Sequence, residues 1–232
     1  VVSVTLPRSP AKPRAGGIWA KTTRGLRIYL KTPRLKGLLA LSLASAAASS
    51  MVIVNTVVIV RGELGFGQSE VALTLAAYGF GSMLAALLIP RLLDKVSDRT
   101  MMASAAALLT AGLAAMAILA AVFGIGVGFW PLLLIGWFVL GIAYSMSVTP
   151  SGRLLRRSAN ADDRPAVFAA QFALSHGCWL ICYPLAGQIG AVIGQGAAFG
   201  VLALVAGIGT VAADWLWPSR DPEYLTHSHD DL

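Results

Sequence analysis

A run of 53 residues, Thr100 to Gly152, contains no Asp, Glu, Lys, Arg or His. A helix rises 1.5 Å per residue, so one membrane crossing takes about 20 apolar residues and this run is long enough for two. Its middle, residues 123–131, has Gly at alternate positions and ends in Pro131, which predicts a turn. The run therefore predicts a helical hairpin inside a bilayer, and with it an all-α membrane protein.

The composition supports a membrane location. The chain is 56% hydrophobic and only 12% charged, whereas soluble domains carry about 25% charged residues. Both cysteines, Cys178 and Cys182, lie in one apolar segment, which argues against a disulfide framework. The tail from Val1 to Lys36 lacks the apolar core of a signal peptide. Because no Met precedes Met51, we expect the chain to be a fragment or one half of something longer.

Six segments are long and apolar enough to cross the membrane. Each is continuously apolar, without the alternation of a barrel strand, so helices are predicted. The predicted domains are a basic cytoplasmic linker (1–36), a six-helix bundle (37–217) and a cytoplasmic tail (218–232). The predicted crossings are Gly37 to Val60, Val71 to Pro90, Thr100 to Val122, Gly128 to Val148, Ala166 to Gly190 and Gly196 to Trp217.

Basic residues predict the orientation of the six crossings. Of the 18 Lys and Arg residues, 17 fall on the side that holds both termini, and only Arg61 falls on the other. Under the positive-inside rule this side is cytoplasmic, which predicts a multi-pass membrane protein with both termini inside. The excess of basic residues is thus explained by membrane topology, and no nucleic-acid partner is needed. The segment from Arg24 to Arg34 lies along the anionic inner surface of the membrane or is a solvated basic linker.

Small residues are expected at the helix contacts. Ala77, Gly81 and Ala85 repeat every four residues on the second crossing, which lets a neighbouring backbone approach closely. Residues 207–212 match the dinucleotide-binding pattern G-x-G-x-x-A, but they lie in an apolar helix without a preceding strand. We interpret that string as packing and expect no cofactor.

Polar side chains inside a membrane are costly, so their distribution is informative. The third and sixth crossings carry few of them, which predicts that they face lipid. The first crossing carries Asn55, the fourth carries Tyr144, and the second and fifth are also polar. We expect these four crossings to surround a wet cavity.

The fifth crossing is the richest in candidate site residues. His176 lies ten residues after Ala166, about 15 Å deep and near the midplane. A titratable ring there suits a protonation switch or a substrate contact. The alternative is a neutral His bonded to a neighbouring helix, with the aromatics as packing. One helical stripe carries Phe172, His176, Trp179 and Tyr183, and the adjacent stripe carries Gln171, Ser175, Cys178 and Cys182.

A metal site is not predicted. Cys178 and Cys182 share a face, but His176 lies 200° around the helix from Cys178, as the spacing of residues requires. The tail residues His227, His229 and Asp231 either bind a divalent ion weakly or form a solvated tail. A divalent metal ion is kept as an alternative substrate.

The loop between the second and third crossings, Pro90 to Arg99, resembles the loop motif G-x-x-x-D-[RK]-x-G-R-[RK] of the major facilitator superfamily in its C-half copy. Asp94 and Lys95 match the acid and base of that motif, and Arg99 matches its last basic position. Pro90 and Ser97 replace the two glycines, and Asp98 replaces the first base of the final pair.

The resemblance implies crossings seven to twelve of a twelve-helix transporter. In that family the seventh, eighth, tenth and eleventh crossings line the cavity, which correspond here to the four polar ones. Residues 168–184 look like the eleventh helix of a bacterial efflux-type subgroup. The implied function is the C-terminal half of a secondary active transporter that exports a small solute with protons by alternating access. Its implied partners are the bilayer, a missing N-terminal six-helix half, the solute and the proton.

Two other function classes stay open. One is a non-transporting membrane scaffold or an inactive transporter remnant. The other is an intramembrane serine protease, which needs a G-x-S-G nucleophile. The nearest string, residues 149–152, lacks the first Gly and lies at a helix end, so we expect no enzyme.

Overall fold

The computed structural model of the chain describes residues 18–218, with side chains described from Thr23 onward. Over this range every regular element is a helix. The α-helices are α1 (Ile18–Lys31), α2 (Pro33–Val57), α3 (Gln68–Leu93), α4 (Asp98–Phe123), α5 (Trp130–Val148), α6 (Ser151–Arg157), α7 (Arg164–Val192) and α8 (Gln195–Leu216). A π-helical turn, Val58–Glu63, extends α2, and a 3₁₀ turn, Val127–Phe129, precedes α5.

The six predicted crossings are confirmed as α2, α3, α4, α5, α7 and α8, all long and apolar enough to span a membrane. The turn predicted in residues 123–131 is present: α4 ends at Phe123, and Gly124 takes the positive φ of 71° that favours glycine. The fifth crossing was predicted to end at Gly190, but α7 continues two residues further, to Val192, and the turn follows at Gly194, which takes a φ of 115°. Charged residues and glycines thus place most helix ends correctly.

Helix α2 forms the centre of the bundle. It packs against α4, α5, α7 and α8, and most of its residues are buried. Many of its buried residues are Ala and Ser, whose small side chains let the neighbouring helices approach closely. Buried hydroxyls join it to α5: Ser45 and Ser147 are hydrogen-bonded through their Oγ atoms at 2.8 Å, and the Trp137 indole N–H donates to Thr56 at 2.7 Å. These two buried pairs therefore satisfy their own polar groups and hold α2 against α5.

Helices α3 and α5 are in close backbone contact. A Cβ atom added at Gly81 of α3 would lie 2.1 Å from the carbonyl oxygen of Phe138, and one added at Gly141 of α5 would lie 2.1 Å from that of Tyr78. The prediction that Gly81 allows close backbone approach is confirmed. Because α3 packs mainly against α5, it lies at the edge of the bundle.

Helix α1, in the region predicted as a linker, leads directly into α2. Thr32 is extended (φ −93°, ψ 112°), as the residue before a proline prefers, and Pro33 occupies the first turn of α2. One residue therefore separates α1 from the first crossing. The division into linker, bundle and tail stays a prediction, and residues 1–17 and 219–232, with the tail histidines, lie outside the described residues.

The orientation leads to a labelling prediction. Single cysteines placed after the first and fourth crossings, in a background without Cys178 and Cys182, are expected to react with an impermeant maleimide from opposite sides. Ser69 is exposed and suits the first position. Ser158 is the natural second choice from sequence, but it is buried and donates to the carbonyl of Leu154, so the exposed Asn160 replaces it. Labelling of both cysteines from one side would contradict the six-crossing topology.

Candidate solute cavity and ion cluster

A cavity of about 660 Å³ opens on one side of the bundle. Its walls are α2, α5, the short helix α6 and α7. Among the described residues that line it, none is Asp, Glu, Lys or Arg; serine hydroxyls alternate with aromatic rings. The polar and aromatic members include Ser45, Ser147, Ser175, Tyr144, Phe172 and Trp179. This wall offers hydrogen bonds and ring faces to a solute, without a fixed charge.

The sequence predicted that four crossings line the cavity, and three of them do. Helix α3 contributes no described residue to the lining of this cavity, so the prediction is wrong for the second crossing. The physical reason is the glycine contact between α3 and α5, which places α3 behind α5. Tyr78 of α3 still supports the wall from behind: its ring lies 6.1 Å from that of Tyr144, and its hydroxyl is 3.1 Å from that of Ser49.

His176 lines the cavity and is exposed to it. Its Nδ1 atom lies 2.7 Å from the carbonyl oxygen of Phe172, one turn earlier on α7. A carbonyl only accepts, so this contact places a proton on Nδ1 and leaves Nε2 available to the cavity. The Phe172 ring covers one face of the imidazole, with ring centroids 4.0 Å apart. The hydrogen bond of His176 is thus made within its own helix, α7. The alternative interpretation, a neutral structural histidine, expected a hydrogen bond to a neighbouring helix.

Trp179 and Tyr183 continue the same stripe along α7. Their ring centroids are 5.1 Å apart, and both residues line the cavity with Tyr144 of α5. Four of the six candidate site residues, His176, Trp179, Tyr183 and Tyr144, are therefore brought together on one wall.

Gln171 also lines the cavity, but its amide is already engaged. Its Nε2 donates to Ser42 of α2 at 3.1 Å, and its Oε1 accepts a hydrogen bond from the Tyr29 hydroxyl of α1. Burial raises the pKa of Tyr29, with a smaller contribution from nearby Cys178, so the phenol keeps its proton and stays a donor. Gln171 therefore ties three helices together at the edge of the cavity.

Asn55 is buried away from the lining described above. Its amide donates to the carbonyl of Ala186 at 3.0 Å, which joins α2 to α7. Gln195, the first residue of α8, lies beside it and is also buried. In this structure Asn55 is placed to hold crossings together.

Of the three loop-motif residues, two are exposed to solvent and one contacts another helix. Asp94 and Lys95 are exposed in the turn after α3. Arg99 donates to the Asp214 carboxylate at 2.6 Å and to the carbonyl of Trp217 at 3.0 Å, so it ties the start of α4 to the end of α8. The structure thus assigns a helix contact to Arg99 and leaves Asp94 and Lys95 on the surface.

Asp98 is a residue that the sequence reasoning missed. Its carboxylate is buried at the first turn of α4 and accepts two-pronged hydrogen bonds from Arg153, and Arg157 lies 3.7 Å away. Both arginines belong to α6, one turn apart. The sequence did carry a signal for this cluster: an acid at the start of a helix, and two arginines four residues apart that could face it.

Asp98→Asn is expected to destabilise the end of the bundle where α4 meets α6. The substitution leaves Arg153 and Arg157 without their buried counter-charge, at a cost of about 1–3 kcal/mol. The apparent melting temperature of the detergent-solubilised chain should fall by several degrees. Asp94→Asn is the matched control, since Asp94 is exposed on the same loop. Equal melting temperatures for wild type and Asp98→Asn would contradict the structural role.

No group of three or more His, Cys, Asp or Glu side chains suited to a metal ion occurs among the described residues. The string from Thr149 to Gly152, weighed above for a serine nucleophile, comprises the two-residue break after α5 and the first two residues of α6. Ser151 there donates to the carbonyl of Val148 at 2.6 Å, within its own turn.

Comparisons with known proteins agree with this arrangement. The family model of the Major Facilitator Superfamily matches residues 38–230, which cover the crossing helices except for the first turn of α2. No curated protein and no solved structure matches the chain. Since the family match covers well over half of the chain, this multi-pass membrane protein belongs to the major facilitator superfamily of transporters.

Proposed function

We propose that this chain is the C-terminal half of a secondary active transporter that exports a small solute in exchange for protons by alternating access. The observation that carries the proposal is the cavity of about 660 Å³, whose described walls hold a histidine, several hydroxyls and a row of aromatic rings, but no fixed charge. A site between two six-helix halves is the usual arrangement in such transporters. The partner half would close the open side of this cavity.

The proposed roles follow from the contacts of each residue. His176 lines the cavity and its contact with Phe172 uses Nδ1, so Nε2 is left to bind the solute or carry the coupled proton. Trp179, Tyr183 and Tyr144 supply ring faces and hydroxyls for the solute. Gln171 positions the wall, and Asn55 holds α2 against α7.

The loop residues are proposed to act in gating. Arg99 fixes α4 to α8, whereas the exposed Asp94 and Lys95 are free to meet the partner half when the cytoplasmic side closes. The bacterial inner membrane is the location that the resemblance of residues 168–184 implies. The charge distribution supports an orientation with both termini in the cytoplasm, because 17 of the 18 basic residues fall on that side.

The experiment must work without knowledge of the solute. Proteoliposomes with an imposed pH gradient are loaded with a small-molecule extract of the source cells, and mass spectrometry follows what leaves. We expect the 232-residue chain alone to move nothing, and the chain with its N-terminal half to move one solute class in a gradient-dependent way. Transport by the single chain would refute the half-transporter proposal. No movement with both halves present would favour a scaffold or an inactive remnant, and gradient-driven loss of a divalent metal would establish the alternative substrate.

A further inference from the structure

Helix α1 is docked onto the bundle by three contacts with α7. A Cβ atom at Gly25 would lie 2.1 Å from the carbonyl oxygen of Ala166, so the two backbones touch. Arg24 is paired with Asp163 at 2.8 Å, and Tyr29 donates to Gln171. These contacts fix α1 beside the start of α7.

The position of α1 places it at the edge of the bilayer. A single residue, Thr32, separates it from the membrane helix α2, and its contacts with Asp163 and Ala166 lie at the end where α7 enters the membrane. Both crossings begin on the basic, cytoplasmic side under the proposed orientation. Helix α1 is therefore held at the level of the lipid headgroups of the inner leaflet.

The face of α1 that points away from the protein is both apolar and cationic. Leu26 and Leu30, one turn apart, are 37% and 44% exposed. Arg27 and Lys31, also one turn apart, are exposed beside them. The sequence of α1, Ile18–Lys31, contains no Asp or Glu. Leucines interleaved with cations are the composition of a helix that lies in an anionic membrane interface.

We propose that this outer face of α1 binds anionic phospholipid of the inner leaflet. Leu26 and Leu30 enter the boundary of the acyl chains, and Arg27 and Lys31 contact headgroup phosphates, where long basic side chains extend toward the charged surface. The charges select an anionic lipid over a zwitterionic one. A solvated linker, the other interpretation from sequence, would leave both leucines in water.

Lipid binding at this face reaches the cavity wall. Tyr29, on the opposite face of α1, bonds Gln171, which also bonds Ser42 and lines the cavity. Holding α1 at the membrane therefore holds Gln171 in place. This consequence for transport rests on the proposed function, whereas lipid binding itself does not.

The test measures the depth of α1 in nanodiscs that contain the full chain. A nitroxide is attached to Leu30→Cys after Cys178 and Cys182 are replaced by Ser. Its relaxation by oxygen, which concentrates in lipid, is compared with that by a water-soluble nickel chelate. We expect the oxygen-to-nickel ratio to rise several-fold when a third of the phosphatidylcholine is replaced by phosphatidylglycerol. An unchanged, water-like ratio in both lipids would overturn the proposal.

Charge reversal supplies the specific control. Arg27→Glu with Lys31→Glu should abolish the rise caused by phosphatidylglycerol. Arg91→Glu with Lys95→Glu makes the same charge change at exposed residues of another cytoplasmic loop and should preserve it. If the reversal variant elutes as aggregate, Arg27→Gln with Lys31→Gln replaces it, and a substantially reduced rise is expected. Equal ratios for the α1 and the loop variants would contradict the assignment.

No step of this test needs transport. A failure therefore leaves the half-transporter proposal standing, and a chain that moves no solute can still show lipid-dependent burial of α1.

Discussion

Replacing His176 by Ala in the complete transporter is expected to reduce transport by about 10- to 100-fold, the factor that matches a lost hydrogen bond to a charged group of about 1.5–3 kcal/mol. His176 is the one histidine among the described residues that line the cavity, and its contact with Phe172 uses Nδ1 and not Nε2. Because the ring is exposed and its one described bond is within α7, removal should leave membrane insertion unchanged. Initial transport rates in proteoliposomes, normalised to inserted protein, measure the effect.

His176→Gln separates the two roles proposed for the ring. The amide keeps hydrogen-bonding capacity but does not titrate. If His176 carries the coupled proton, Gln fails as badly as Ala; if it only binds the solute, Gln retains most of the activity. The same substitution at His227, in the C-terminal tail, is the matched control and should be silent. Near wild-type, pH-responsive transport by His176→Gln would exclude the coupling role.

Replacing Gly81 by Leu is expected to have the largest effect on folding. The first added atom would lie 2.1 Å from the carbonyl oxygen of Phe138, which belongs to the backbone of α5 and cannot turn aside. Helices α3 and α5 must therefore separate, with a loss of about 3 kcal/mol or more. Gly79→Leu is the matched control on the same helix, since a Cβ there meets nothing within 4 Å.

Size-exclusion chromatography of the detergent-solubilised variants after graded heating measures this difference. The Gly81→Leu protein should lose its monodisperse peak at a clearly lower temperature than the Gly79→Leu protein. Indistinguishable profiles for the two variants would contradict the close contact between α3 and α5.

The membrane crossings could be predicted from the sequence because charged residues and helix-ending glycines mark where each helix ends. The uncharged run from Thr100 to Gly152 could only be a hairpin in a membrane, and α4 and α5 turn where Gly124 permits it. The polar stripe of α7 likewise predicted the wall that now carries His176, Trp179 and Tyr183. Local periodicity is enough for these features.

Contacts between distant segments were beyond sequence reasoning. Asp98 meets Arg153 only because the chain breaks after α5 and forms the short helix α6. Tyr29 meets Gln171 across 142 residues, and that contact turns an expected linker into a docked helix. The place of α3 behind α5 depends on two glycines whose contact no single helix pattern reveals.

The central claim is that this cavity is half of an alternating-access pathway, and the accessibility of Ser175 tests it most directly. Ser175 lines the cavity and donates only to the carbonyl of Phe172 in its own helix. Ser175→Cys, in a chain without Cys178 and Cys182 and paired with its N-terminal half, is treated with an impermeant maleimide from each side of the membrane. We predict labelling from both sides, with the proportion shifted by an imposed pH gradient. Labelling from one side only, whatever the gradient, would contradict alternating access through this cavity.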